Sequence, residues 1–146
     1  MSMPLSLEQI MTNAASGMSA QSIRMNTIAS NLANSDSVGT TEADTYHTKY
    51  PIFTEVRKKI QGADFNDQPV GGVEVTGIQH STKPLESKYE PDNPLANGEG
   101  MVYLTDVNPV EEMTNMIAAS KEYQANIEMV NTTKNLILRT LDVMRS

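Results

Sequence analysis

Two long stretches at the ends of the chain repeat a mostly apolar residue at alternating steps of four and three. The stretch between them has no such period. The first series is Leu7, Met11, Ala14, Met18, Gln21, Met25, Ile28 and Leu32. The second is Met113, Met116, Ser120, Tyr123, Ile127, Val130, Lys134, Ile137, Leu141 and Met144. A mean step of about 3.5 residues keeps one stripe of a helix turned toward a partner helix, so both ends predict long helices of coiled-coil character.

The ends of these stretches carry helix punctuation. Ser6 and Gln9 stand at capping-box spacing, and Leu5 and Ile10 are placed to close a hydrophobic staple. Asn34 suits a left-handed terminator, after which Ser35-Asp36-Ser37 turns away. Asn108 predicts an N-cap for the second helix, with Pro109 at its first position and Glu111 three residues past the cap. Glu111 and Glu112 at its start, and Arg139 and Arg145 near its end, complement the helix dipole. At 1.5 Å per residue the helices would run roughly 40 and 50 Å.

Six of the seven prolines and seven of the eight glycines fall between Gly39 and Pro109, so the breakers divide the chain into three parts. Residues 1–38 and 108–146 form the helical flanks, and residues 39–107 form the insertion. The insertion predicts short strands at Tyr46–Val56, Gly72–Ile78 and Gly100–Thr105, with Pro51 confining part of the first to an edge. Lys88 to Gly100 is turn chemistry throughout and predicts a surface loop. The fold class is mainly α with a small, irregular β-rich insertion.

Composition makes a large internal core doubtful: only 38% of residues are hydrophobic, and neutral polar side chains fill much of the remainder. The methionine stripes read as packing surface, but two helices so poor in Leu and aromatic residues make a thin seam on their own. Ala14-Ala15-Ser16-Gly17 and Ala118-Ala119-Ser120 would let backbones approach closely. Gly17 costs about 1 kcal/mol against Ala unless such an approach offsets it. The remaining packing is expected to be intermolecular.

The net charge of −7 sits almost wholly in the middle, where residues 36–109 carry six Lys and Arg against twelve Asp and Glu. Binding a phosphate backbone needs clustered cations, so nucleic acid is not an expected partner, and Arg57-Lys58-Lys59 reads as a solvated face. The absence of cysteine removes disulfides and thiolate chemistry. The N-terminal stretch lacks the basic segment of a signal peptide, and no apolar run approaches the length needed to span a bilayer, so direct membrane insertion is not expected.

No catalytic or cofactor site is expected either. His47 and His80 lie far apart, with no second His at helical spacing, so they advertise no metal site. Asp64-Phe65-Asn66-Asp67-Gln68 opens like a calcium loop, but Pro69 stands where that loop needs glycine. Glu86, Glu90 and Asp92 lie among lysines and prolines, not in an apolar pocket that would raise a carboxyl pKa. Gly98-Glu99-Gly100 precedes a strand and does not open a helix, so it reads as a turn and not as a phosphate cradle. Asn131-Thr132-Thr133 matches a glycosylation acceptor by chance, inside a predicted helix.

Three motifs remain, and none carries chemistry. They are Asn31-Leu32-Ala33-Asn34-Ser35-Asp36-Ser37-Val38, then Tyr89-Glu90-Pro91-Asp92-Asn93-Pro94-Leu95-Ala96, then Tyr123-Gln124-Ala125-Asn126 followed by Asn131-Thr132. In this order they resemble the bacterial flagellar axial proteins, the rod and hook subunits, and within them the subunits of the proximal rod. Residues 40–70 carry no motif of the set, and Met101 stands where an aromatic residue would follow the loop.

The resemblance implies a structural, non-enzymatic subunit of the basal-body rod, exported by the flagellar type III apparatus without a cleavable signal. It implies terminal helices paired antiparallel and packed against neighbouring copies, other rod subunits, and the membrane-ring and rod-adaptor proteins at the base. Asn31 and Asn34 would then satisfy backbone groups at a helix end. Two other functions stay open on the residues: a coiled-coil adaptor forming a discrete soluble complex, and a small hydrolase using His47 or His80 beside Asp and Ser.

Overall fold

The computed structural model describes residues 7–58 and 68–145. The element order is α1 (Leu7–Ala33), β1 (Val38–Gly39), β2 (Lys49–Lys58), β3 (Gln68–His80), β4 (Ser87–Tyr89), β5 (Met101–Leu104) and α2 (Pro109–Arg145). Both terminal helices and the three expected strands are present. The structure corrects the reading of Lys88 to Gly100 in one respect, because its first residues pair as β4. The Ser6 cap and its Leu5 staple, the side chains of the Arg57-Lys58-Lys59 triplet, and the Asp64 to Asp67 run lie outside the described residues.

The chain separates into two compact units. One comprises Arg24–Ile52 and Gly77–Ala118. Its sheet has β5 in the centre, antiparallel to β1 on one side and β4 on the other. Val38 opposes Leu104, and Lys88 opposes Val102. Val102 is fully buried at the middle of this sheet, joined in the unit's core by Ile28, Leu85 and Val107. In the same unit the Ser81 N–H donates to the Thr48 carbonyl at 2.8 Å, and Gly77 lies beside Ile52. Four residues forward on β2 thus match four back on β3, which makes the pair antiparallel. With two strands both are edges, which tolerates Pro51 inside β2.

Gly39 is required by a close approach: a Cβ added there would overlap the Thr45 hydroxyl and lie 3.0 Å from the Thr45 Cα. Thr45 is itself buried, and its hydroxyl donates to the Thr41 carbonyl at 2.7 Å. This fixes the turn that carries the chain from β1 back toward α1.

The other unit comprises Met1–Ile23, Phe53–Thr76 and Ala119–Ser146. Among its described residues the buried apolar side chains are Ala14, Ala20 and Ala119, with Thr133 also enclosed. Small side chains bring backbones together here. Gly17 lies against the Asn126 amide, where an added Cβ would sit 2.8 Å from Nδ2, and Gln21 donates to the Glu122 carboxylate. Four residues forward on α1 match four back on α2, so the helices run antiparallel in this unit. Beside this contact α1 also meets β3: the Ser16 hydroxyl accepts from the Val73 N–H at 3.2 Å, and the Asn13 amide fills the space beside Gly71.

Candidate functional site

The N-terminal motif closes α1 with its own side chains. The last four carbonyls of a helix have no intrahelical donor. Here the Asn34 amide donates to the Ser30 carbonyl at 2.7 Å, and the Asn34 N–H donates to the Asn31 carbonyl at 3.1 Å. The Ser35 hydroxyl reaches the Leu32 carbonyl at 2.9 Å, and Ser37 repeats the pattern on the Asn34 carbonyl at 2.8 Å. The helix therefore ends through successive tight turns built by Asn34-Ser35-Asp36-Ser37. Asn34 has the role expected of it.

Asn31 does something different. It is fully buried and uses every hydrogen-bonding position of its amide. Its Nδ2 donates to the Lys49 carbonyl at 2.9 Å and to Glu112 Oε2 at 2.8 Å. Its Oδ1 accepts from the Lys49 N–H at 3.0 Å and from the Tyr46 hydroxyl at 2.8 Å. The Tyr46 oxygen lies 3.1 Å from the Ser30 hydroxyl, and the Lys49 ammonium sits 5.1 Å from the Tyr46 ring centroid. One amide thus ties α1 to the first residue of β2 and to the first turn of α2. Glu112 is buried, and its position on α2 is fixed by the Asn108 cap, whose Oδ1 accepts from the Val110 N–H at 3.1 Å. Sequence reasoning assigned Glu112 to the helix dipole and missed this contact. The available signal was an acid one residue before the apolar stripe, at the level where the stripe begins.

A second polar junction lies nearby in the same unit. Asp106 Oδ1 accepts from the Thr48 N–H at 2.8 Å and the Thr48 hydroxyl at 2.9 Å. Partial burial pushes the Asp106 carboxyl up, but hydrogen bonds from Ser81 and Thr48 outweigh it, and its pKa lies below the ordinary aspartate value.

The Tyr89 to Ala96 motif is an internally tied surface turn. The Lys88 ammonium lies 2.7 Å from Glu90, the Asn93 amide donates to Glu90 at 3.0 Å, and Asn93 Oδ1 accepts from the Leu95 N–H at 3.0 Å. Lys88 and then Asn93 hold the Glu90 carboxyl below its usual range, the opposite of what a general acid needs. Gly100 returns the chain with φ of 77°, and an added Cβ would meet the Tyr89 ring at 2.9 Å. Tyr89 remains 66% exposed, Pro91 and Pro94 are also exposed, and Asn93 is half-buried.

The stripe residues divide. On α1, Ala14 and Ile28 are buried, and Leu7, Met11, Met18, Met25 and Leu32 are half-buried. On α2, Met116, Tyr123, Val130 and Ile137 are half-buried, but Met113, Ile127, Leu141 and Met144 are exposed. The covered row on α2 instead alternates the first four with Glu112, Ala119, Asn126 and Thr133. It lies one residue away from the apolar series at every second position, because close approach of α1 favours small and polar side chains there. In the third motif Tyr123 and Asn126 face this row, whereas Gln124 and Ala125 are exposed, as is Ala33 in the first.

Chemistry is sparse among the described residues. No group of three His, Asp or Glu is placed to hold a metal, and no helix is long and apolar enough to cross a membrane. His80 is exposed, and the His47 Nε2 lies 3.2 Å from the Glu42 carbonyl, with no Ser or Asp hydrogen-bonded to the ring. Among the described residues neither histidine forms the arrangement a hydrolase would need.

Two family models match the chain over stretches that include its first and third motifs. Residues 11–40 match the family model described as Flagella basal body rod protein, and residues 99–143 match that of the Flagellar basal body rod FlgEFG protein C-terminal. Both matches fall on the terminal helices and their approaches, which define the class as flagellar basal-body rod proteins. The chain is 42% identical to the flagellar basal-body rod protein FlgC of Salmonella typhimurium over 137 residues, covering 94% of this chain and 97% of that one. It is 38% identical to FlgC of Buchnera aphidicola subsp. Acyrthosiphon pisum over 141 residues, covering 95% and 98%, and 40% identical to FlgC of Escherichia coli O157:H7. The chain belongs to the FlgC family of flagellar basal-body rod proteins.

Proposed function

We infer that this chain is a structural subunit of the flagellar basal-body rod and not an enzyme. The observation that carries the reading is similarity to rod proteins over 94–95% of the chain, with family-model matches on both terminal helices. In this reading residues 1–38 and 108–146 are the rod core and residues 39–107 the outward insertion. The terminal helices form an antiparallel, coiled-coil-like pair that assembles into a helical tube, transmits torque and encloses the export channel. The partners are other copies, other rod subunits and the ring and adaptor proteins at the base, in the periplasmic part of the basal body, reached through the type III export apparatus.

Exposure of the apolar positions supports a role for α2 in subunit packing. Met113 is 57% exposed, Leu141 50% and Met144 79%, so these apolar side chains are left largely uncovered by the chain's own packing. Met113→Asp tests the reading. In a motile bacterium lacking its own FlgC, the unaltered chain is expected to restore swimming and to be found in purified basal bodies. Met113→Asp is expected to be exported, soluble and absent from them. Failure of the unaltered chain to enter basal bodies would overturn the rod reading, and a discrete soluble complex with one helical protein would favour an adaptor. Ile28 is a poor probe for assembly because it is buried within its own unit.

A further inference from the structure

The loop that returns the chain to β5 closes on one side chain. Asn97 Oδ1 accepts from the Glu99 N–H at 2.9 Å and from the Met101 N–H at 3.0 Å. Its main chain is held as well: the Asn97 N–H donates to the Met101 carbonyl and the Gly100 N–H donates to the Asn97 carbonyl, each at 2.9 Å. This is a tight turn over Gly98 and Glu99, followed by Gly100 at φ of 77°, and Asn is favoured at the first position of such a turn. Asn97 is half-buried, whereas Gly98 and Glu99 are exposed.

The turn does not explain Gly98. Among the described glycines it is the one whose added Cβ would meet nothing within 4 Å, and its φ lies outside the left-handed region. Other residues would fit there. What glycine changes at this position is reactivity. With no Cβ beside it, the Gly98 main-chain nitrogen has unhindered access to the side-chain carbonyl carbon of the preceding asparagine. Asn97-Gly98 is also the single Asn-Gly pair in the chain.

The chemistry this pair supports is self-contained except for water. The Gly98 nitrogen gives its proton to base and attacks Asn97 Cγ. The N–Cγ bond forms, the Cγ–Nδ2 bond breaks, and Nδ2 takes up a proton and leaves as ammonia. Water then opens the cyclic imide at either carbonyl. Opening at Cγ gives aspartate on the original main chain, and opening at the main-chain carbonyl gives isoaspartate, whose main chain runs through Cγ and is longer by a carbon.

Ring closure requires the Gly98 nitrogen to swing against Cγ, which turns the Asn97 side chain and main-chain carbonyl together. In the folded loop both are held. The two donors on Oδ1 would also stabilise the oxyanion that attack creates, but only after the nitrogen can reach Cγ. Restraint therefore outweighs activation.

We propose that Asn97-Gly98 is a self-modification site, silenced by the folded loop and released whenever that loop opens, so that it records the time the chain spends unfolded. The two products differ in consequence. Aspartate keeps an acceptor for the Glu99 and Met101 N–H groups, whereas the longer main chain of isoaspartate moves the turn out of register with Met101 at the start of β5.

The full-length chain is incubated at mildly alkaline pH in buffer and in guanidinium chloride, and position 97 is followed by peptide mass spectrometry that separates aspartate from isoaspartate. Conversion is expected in denaturant, and to be slower by about tenfold or more in buffer, where reaction waits on opening of the loop. Gly98→Ala is expected to keep the thermal midpoint of the folded chain and to convert many-fold less in denaturant. Equal or faster conversion in the folded chain would overturn the silencing and make the Oδ1 donors an oxyanion hole. An unchanged rate in Gly98→Ala would overturn the site itself. Asn97→Asp is expected to keep the midpoint, while the isoaspartate fraction of aged, refolded chain is expected to melt lower; equal midpoints would overturn the consequence assigned to the longer main chain.

Discussion

Asn31 on α1 donates to Glu112 on α2 across 81 residues of sequence, and both side chains are buried. Removing the amide would strand three partners at once, the Lys49 N–H and carbonyl and the Glu112 carboxylate, and would leave the Tyr46 hydroxyl with Ser30 alone. Asn31→Ala is expected to cost about 2–4 kcal/mol, since each stranded buried group costs on the order of 1–3 and some regain water. Urea unfolding of the single variants, Glu112→Ala and the double variant should give a coupling of about 1–2 kcal/mol. Additive effects would mean the contact contributes nothing of its own.

Gly17 and Asn126 form a second junction, and it makes a paired prediction. Ala at position 17 gains up to about 1 kcal/mol of helix propensity, but its Cβ would sit 2.8 Å from the Asn126 amide. Gly17→Ala should therefore fail to stabilise the protein in thermal unfolding, whereas Gly17→Ala with Asn126→Ala should recover the gain. Gly17→Val, which cannot be accommodated by turning one amide, should lower the midpoint in both backgrounds.

The two units should differ in protection. One buries Ile28, Leu85, Val102 and Val107, while the described apolar residues buried in the other are alanines. Small buried side chains remove little apolar area from water. In the dilute chain, amide hydrogen exchange should be slow at residues 24–33 and 101–118 and much faster at residues 7–23 and 119–145. Uniform protection along both helices would contradict this, and assembly should slow the fast segments.

Asp106 sets an acid dependence. Its folded-state pKa lies below the ordinary value of about 3.9, so the stabilisation is complete above pH ~4 and is lost as pH falls through the folded value. Unfolding midpoints measured from pH 5 to 2 should fall for the natural chain, and the fall should shrink in Asp106→Asn. Asp106→Ala, which also strands the Thr48 N–H and hydroxyl, should be destabilised at neutral pH as well.

Much of this architecture was legible because helix ends carry local chemistry. Asn108, Pro109 and the Asn34 turn act on backbone groups within a few residues, so spacing alone predicts them. Strand β4 was not legible: Ser87, Lys88 and Tyr89 are all exposed, so pairing to β5 leaves no apolar alternation in the sequence. The covered row on α2 was half legible. Met116, Tyr123, Val130 and Ile137 follow the apolar rule, but Ala119, Asn126 and Thr133 are selected by how closely another backbone approaches. The strict alternation of three and four assigned Ser120, Ile127 and Lys134 in their place. Glu112 was hidden for a related reason, since its partner is an amide distant in sequence, and local pattern carries no record of it.

Because one asparagine side chain gathers a helix end, a strand start and a helix start, the knot cannot be tied piecemeal. A polypeptide emerging from a narrow conduit amino end first would hold Asn31 without its acidic counterpart until Glu112 had also cleared the opening. Until then the thread stays pliable, and the clasp that stiffens it arrives with the last quarter of the molecule.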